Sequence, residues 1–93
     1  MTYIATFYSH FGAVRFKRSC EAAGVPARLM PVPRSLSSSC GTCVSYEGAG
    51  PRLDLLRPDE AEQVVEAAET GYRTLYRAAE SGAEGGAAPW RQP

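Results

Sequence analysis

No apolar run in this sequence approaches the roughly 20 residues that a bilayer-crossing helix needs. The opening residues, Met1 to Phe7, alternate between polar and apolar and lack the basic start and continuous apolar stretch of an export signal. A cytoplasmic location is therefore expected, with no membrane partner and with cysteines in a reducing compartment. Net charge is absent as well, since ten Lys plus Arg balance ten Asp plus Glu. No dense basic patch stands out, so no nucleic-acid partner is expected. There is no glycine-rich phosphate cradle, no Ser/His/Asp constellation and no convincing pair of carboxylates; the glycines from Gly82 to Gly86 have no strand before them. The 93 residues suffice for one domain with one modest core. That size favours a carrier, a binding module or a subunit over a stand-alone enzyme.

What is present is unevenly distributed. Residues 1–52 carry six basic side chains and two acidic ones, residues 53–93 four basic and eight acidic. Two differently charged solvated faces are the simplest account; an orienting field for a partner is the alternative.

Tyr3 to Tyr8 reads as a strand, apolar on both faces and so suited to the centre of a sheet. Ser9 offers an N-cap to a helix over His10 to Ala23, which Gly24 and Pro26 end. Ala27 to Val32 reads as a second strand, confined to an edge or exit by Pro31 and Pro33. A serine-rich loop follows from Arg34 to Thr42, then a short strand from Cys43 to Glu47 and a turn from Gly48 to Pro51. Pro58, Asp59, Glu60 and Glu62 suit the first turn of a second helix, with Ala61, Val64, Val65 and Ala68 as its buried stripe and Gly71 as its stop. Tyr72 to Arg77 reads as the last strand. Residues 1–77 are thus expected to form the domain, and 78–93, rich in Gly, Ala and Pro, a disordered tail in which Trp90 has no local partner. The order β-α-β-β-α-β predicts an α+β fold: a ferredoxin-like split arrangement, a two-layer sandwich of a four-stranded antiparallel sheet with two helices on one face.

Chemistry concentrates in Ser37-Ser38-Ser39-Cys40-Gly41-Thr42-Cys43. Cys20 falls on the inward stripe of the first helix and reads as a small buried hydrophobe. A nucleophilic cysteine must be an accessible thiolate with donors around it. Cys40 is the candidate: Gly41 permits unusual dihedrals, Arg34 is the nearest cation in sequence, and the Gly41 and Thr42 amides and the hydroxyls of Ser37, Ser38 and Ser39 are potential donors. Cys40 and Cys43 have the Cys-x-x-Cys spacing of a redox disulfide or of half a metal site. Only Cys20 and His10 remain as further ligands, ten positions apart on a helix, so no metal and no cofactor are expected within one chain; a metal site shared across a dimer is an alternative. A thioredoxin-like motif would follow an early strand and open a helix, whereas this one lies between two strands. His10 reads as a surface residue, with steering of Cys40 as its alternative.

The segments Thr6-Phe7-Tyr8-Ser9, Ala13-Val14-Arg15-Phe16, Gly24 to Arg34 and Leu36-Ser37-Ser38-Ser39-Cys40-Gly41 resemble the selenium/sulfur carrier protein-like family of small bacterial domains. The most specific element is Pro-x-Pro-Arg followed by Ser-Ser-Ser-Cys-Gly, and the resemblance covers roughly residues 2–77. It implies that Cys40 carries zero-valent sulfur or selenium as a persulfide or selenosulfide. The implied partners are a donor enzyme of desulfurase or selenocysteine-lyase type and an acceptor such as the selenophosphate-forming enzyme. The tail after Ala78 and Cys43 depart from the family pattern. A nearby Cys43 would resolve a Cys40 persulfide by attacking it, releasing the chalcogen as a hydride and leaving a disulfide. The Cys-Pro-x-Pro motif of the better-known bacterial sulfur carriers is absent. The remaining readings are a dithiol redox module and a non-catalytic interaction domain; an exposed edge strand also makes a homodimer an expectation.

Overall fold

The computed structural model describes residues 1–36 and 38–78. Its elements are β1 (Thr2–Phe7), α1 (His10–Ala22), β2 (Ala27–Pro31), β3 (Thr42–Glu47), a 3₁₀ turn at Leu53–Leu55, β4 (Ala61–Ala68) and β5 (Gly71–Arg77). The strands form one antiparallel sheet in the order β2-β3-β1-β4-β5. β1 lies at its centre, and its residues from Tyr3 to Phe7 are all buried, as their two-sided apolar character requires. β2, which ends in Pro31, takes an edge, where the missing amide costs no ladder bond.

Local signals set the ends of α1. Ser9 is extended, and its Oγ accepts from the Gly12 amide at 3.2 Å. At the other end the Val25 amide donates to the Cys20 carbonyl at 2.8 Å and the Gly24 amide to the Glu21 carbonyl at 3.1 Å. This is a Schellman closure, and Gly24 supplies the left-handed φ of +79° that it needs. α1 covers one sheet face. Phe16 is wedged there between Phe7 (centroids 5.4 Å apart) and Tyr46 (5.1 Å, edge-on).

The four-strand, two-helix arrangement is corrected: the sheet has five strands, and α1 is the one α-helix among the described residues. The segment expected as the second helix is β4. Pro58 does open a turn, closed by the Ala61 amide donating to the Arg57 carbonyl at 3.0 Å, but the chain then extends. A helix would have left Gln63 and Glu66 on its solvent side; instead both are 7% exposed, because β4 is enclosed on both faces. The i, i+3 spacing that mimicked a helix comes from a β-bulge. Phe7 pairs with Ala61 and Thr6 with Gln63, so Glu62 is the extra residue. Ala61 and Val64 thereby join one core while Val65 joins the other. Gly71, expected as a helix stop, begins β5 after the two-residue turn Glu69-Thr70, with φ +142°.

The second sheet face has no helix among the described residues. Ile4, Cys43 and Val65 are buried there beneath Met30, Val32 and Leu36, of which the last two belong to the segment between β2 and β3. Ala78 closes the described chain, its amide donating to the Glu62 carbonyl at 2.8 Å. The remainder of the expected tail, residues 79–93 with Trp90, lies outside the described residues, as does Ser37. No helix among the described residues is long and apolar enough to cross a membrane.

Candidate functional site

The loop between β2 and β3 is closed at its base by the Val32 amide donating to the Gly41 carbonyl at 3.1 Å. Gly41 has a φ of +74°, the left-handed turn that returns the chain to β3. An inner turn brings the Leu36 amide to the Pro33 carbonyl at 2.9 Å. Two anchors then fasten the loop across the sheet end. Ser38 Oγ donates to the Phe7 carbonyl at 3.1 Å, at the end of β1. Ser39 donates twice to the Glu62 carboxylate, from its amide at 3.1 Å and from its hydroxyl at 2.6 Å. Glu62 is the bulged residue of β4, and the bulge places it where Ser39 arrives.

Cys40 follows these anchors and is half-buried, with an unbridged thiol. Its amide donates to Ser38 Oγ at 3.4 Å, and its Sγ lies 3.9 Å from that same oxygen. The Cys40 thiol donates to the Thr42 carbonyl at 3.4 Å. The expected donor set is therefore rearranged. Ser38 stands beside the sulfur, Ser39 is spent on Glu62, and Thr42 contributes a carbonyl. Arg34 is exposed in the turn before Leu36, and no bond or ion pair joins it to Cys40 among the described residues. His10 is exposed in the first turn of α1 and likewise makes no bond to Cys40.

The other two cysteines differ in kind. Cys20 is fully buried on the inner face of α1, and burial pushes its thiol up to about 11, against partial opposition from Arg52. Cys43 is also fully buried, on the opposite sheet face, with its thiol donating to the Pro31 carbonyl at 3.6 Å. Burial pushes it to about 11, and the charge of a Cys40 thiolate adds to that rise. Both are thus held as neutral thiols near neutral pH. No three His, Cys, Asp or Glu side chains converge on a metal-sized site among the described residues.

Of the residues singled out from the sequence, Ser38, Ser39, Cys40 and Gly41 lie together on this loop, whereas Glu62, expected on a helix, was missed as their neighbour. Twenty-three residues separate Glu62 from Ser39, and no local pattern links them. Tyr8, expected at the end of the first strand, lies just beyond β1 and is 47% exposed, next in the chain to the Phe7 whose carbonyl holds Ser38.

A family model described as "Putative Se/S carrier protein-like" matches residues 2–77, which spans every strand and α1. No curated protein and no solved structure matches the chain.

Proposed function

The chain belongs to the Se/S carrier protein-like family, and from that premise we propose that it carries sulfur or selenium on Cys40. One observation carries this reading: of the three thiols, Cys40 alone is open to a partner, while Cys20 and Cys43 are fully buried. The loop is tied at Phe7 and Glu62, so the sulfur is presented from a fixed position rather than from a loose connector.

The transfer balances without an oxidant or a reductant. A Cys40 thiolate attacks the outer atom of a donor persulfide, R–S–SH. The new bond joins that atom to Cys40 Sγ, the old S–S bond breaks, and R–S⁻ leaves with the electron pair. Delivery is the same exchange in reverse, toward an acceptor enzyme. The donor is of desulfurase or selenocysteine-lyase type. The exposed Tyr8, next in the chain to the Phe7 that holds Ser38, offers such an enzyme an apolar foothold near the loop. A cytoplasmic setting keeps the thiols reduced. Arg34, Ser38, Ser39, Gly41 and Thr42 frame the loop that holds the adduct.

Mass spectrometry after incubation with a cysteine desulfurase or a selenocysteine lyase tests this. A mass increase of one sulfur or one selenium is expected on Cys40. An unmodified wild type, or an adduct that persists in Cys40→Ser, would sink the proposal. The second reading is a Cys40–Cys43 dithiol, for which the Cys-x-x-Cys spacing puts two unbridged thiols on one short segment. It requires Cys43 to leave its buried place on β3. Equal loss of activity in Cys40→Ser and Cys43→Ser would select it.

A further inference from the structure

The sheet face without a helix carries a groove of about 360 Å³ between the carrier loop and the β4–β5 hairpin. Ser35 and Leu36 form one wall, Val65 and Thr74 the floor, and Tyr72 and Arg77 the far side. Met30, Cys43, Thr6, Gln63 and Arg77 are successive cross-strand neighbours. The groove and the Cys40 loop therefore share one end of one sheet face.

The lining is chemically one-sided. Among the described residues of its lining Arg77 is the only charged one, and none is a carboxylate. Arg15, Arg52 and Arg73 each have a carboxylate within 3.3 Å. Arg77 has none among the described residues. A guanidinium is a planar fork that matches a carboxylate with two parallel hydrogen bonds. Ser35 and Thr74 add hydroxyls, while Leu36, Val65 and the half-open Tyr72 ring offer an apolar bed. The volume lies near the lower end of small-molecule sites. It suits a ligand of amino-acid to dipeptide size.

We propose that this groove binds a small organic carboxylate, held at Arg77 and lying along Tyr72 and Leu36. This rests on the carrier reading for the role of Cys40 and adds a second class of donor beside the enzyme: a low-molecular-weight perthiol or selenopersulfide that bears a carboxylate. Its outer chalcogen passes to the Cys40 thiolate by the exchange written above, and the parent thiolate leaves the groove. The loop that presents Cys40 also supplies a groove wall, which couples occupancy to the position of the sulfur.

An unreactive probe separates the groove from the transfer chemistry. The full chain, labelled with nitrogen-15, is titrated with S-methylcysteine, with S-methylcysteamine (which lacks the carboxylate) and with inorganic phosphate. S-methylcysteine is expected to shift the Gln63, Val65, Thr74 and Arg77 amides saturably. S-methylcysteamine, and S-methylcysteine added to Arg77→Gln, are expected to bind about tenfold more weakly or less, the loss of one charge-assisted contact. Arg77→Lys should restore part of the affinity. The groove assignment is overturned by silent groove amides, by equal binding of S-methylcysteamine, by phosphate acting alone, or by wild-type affinity in Arg77→Gln. If S-methylcysteine binds as expected while Cys40 takes up no chalcogen from any donor, the carrier reading has failed and the groove stands. If Cys40 is loaded by a small perthiol at the same rate in Arg77→Gln, the groove is not the donor's seat.

Discussion

The two buried thiols report separately on the two sides of the sheet. Cys43 lies beneath Val32 and Leu36 of the Cys40 loop, and Cys20 on the inner face of α1. Both are fully buried and held near 11, so neither reacts with iodoacetamide until its own cover opens. Glu62→Ala removes the two Ser39 hydrogen bonds that fasten the loop. A bond to a charged acceptor is worth about 1.5–3 kcal/mol when sheltered. At this exposed position we take about 1 kcal/mol for each, in line with solvent-screened charge interactions. The sum of about 2 kcal/mol raises the open-loop population, and with it the alkylation rate of Cys43, about 30-fold. Ser9→Ala is the reciprocal perturbation. Losing the N-cap costs α1 about 1 kcal/mol and speeds Cys20 about fivefold. Cys43 should be indifferent to Ser9→Ala, because loop opening leaves α1 in place. Peptide mass spectrometry over a time course at fixed pH reads all three cysteines at once, with Cys40 labelled first. If Ser9→Ala accelerates Cys43 as much as Cys20, the loop is not an independent cover and the reasoning fails. It also fails if Glu62→Ala leaves Cys43 unchanged.

Two further outcomes follow from the same geometry. Cys20 and Cys43 have folded-state values of about 11 against an ordinary 9.0. Both are raised, so the stability they represent is full below about pH 9 and is lost as pH rises through 11. By about pH 10.5 the loss is about 2 kcal/mol for each thiol, read as a falling urea midpoint under reducing conditions; a midpoint that stays flat from pH 8 to that point refutes the burial argument. Gly41→Ala meets no atom within 4 Å but must adopt a φ of +74°, which costs about 1–2 kcal/mol. Cys43 alkylation should rise about 5- to 30-fold with it, less with Gly41→Asn, and an equal response to Ala and Asn would remove backbone strain as the cause.

Signals that act over a few residues were legible. The Ser9 cap, the Gly24 closure, the edge position of the Pro31 strand and the two-sided burial of β1 all appear where the residue types placed them. The loop with Cys40 was legible for the same reason, since Ser and Gly between two strands leave the backbone little else to do. Signals that depend on partners were not. The apolar periodicity of residues 61–68 fits a helix or a bulged strand equally, and the difference lies in what flanks it. With β1 on one side and β5 on the other, the β-branched pair Val64-Val65 serves both faces, and Gln63 and Glu66 are enclosed.

That misreading and the missed site residue have one cause. Had residues 61–68 been a helix, Glu62 would have been a solvated first-turn charge with no reason to meet Ser39. As a strand with a bulge at Glu62, the segment delivers a carboxylate to the end of β1, where the Ser38 and Ser39 anchors lie side by side. The same exchange leaves one sheet face without a helix among the described residues, so the Cys40 loop becomes the cover of Cys43 and the wall of the groove. The position of Cys40 is therefore a property of β4 as much as of its own loop. A substitution that straightens the bulge, such as deletion of Glu62, should shift the β1–β4 register and release the loop. Its Cys43 alkylation should then exceed that of Glu62→Ala, which removes the carboxylate but keeps the bulge. If the deletion and Glu62→Ala behave alike, the bulge contributes nothing beyond the side chain it carries.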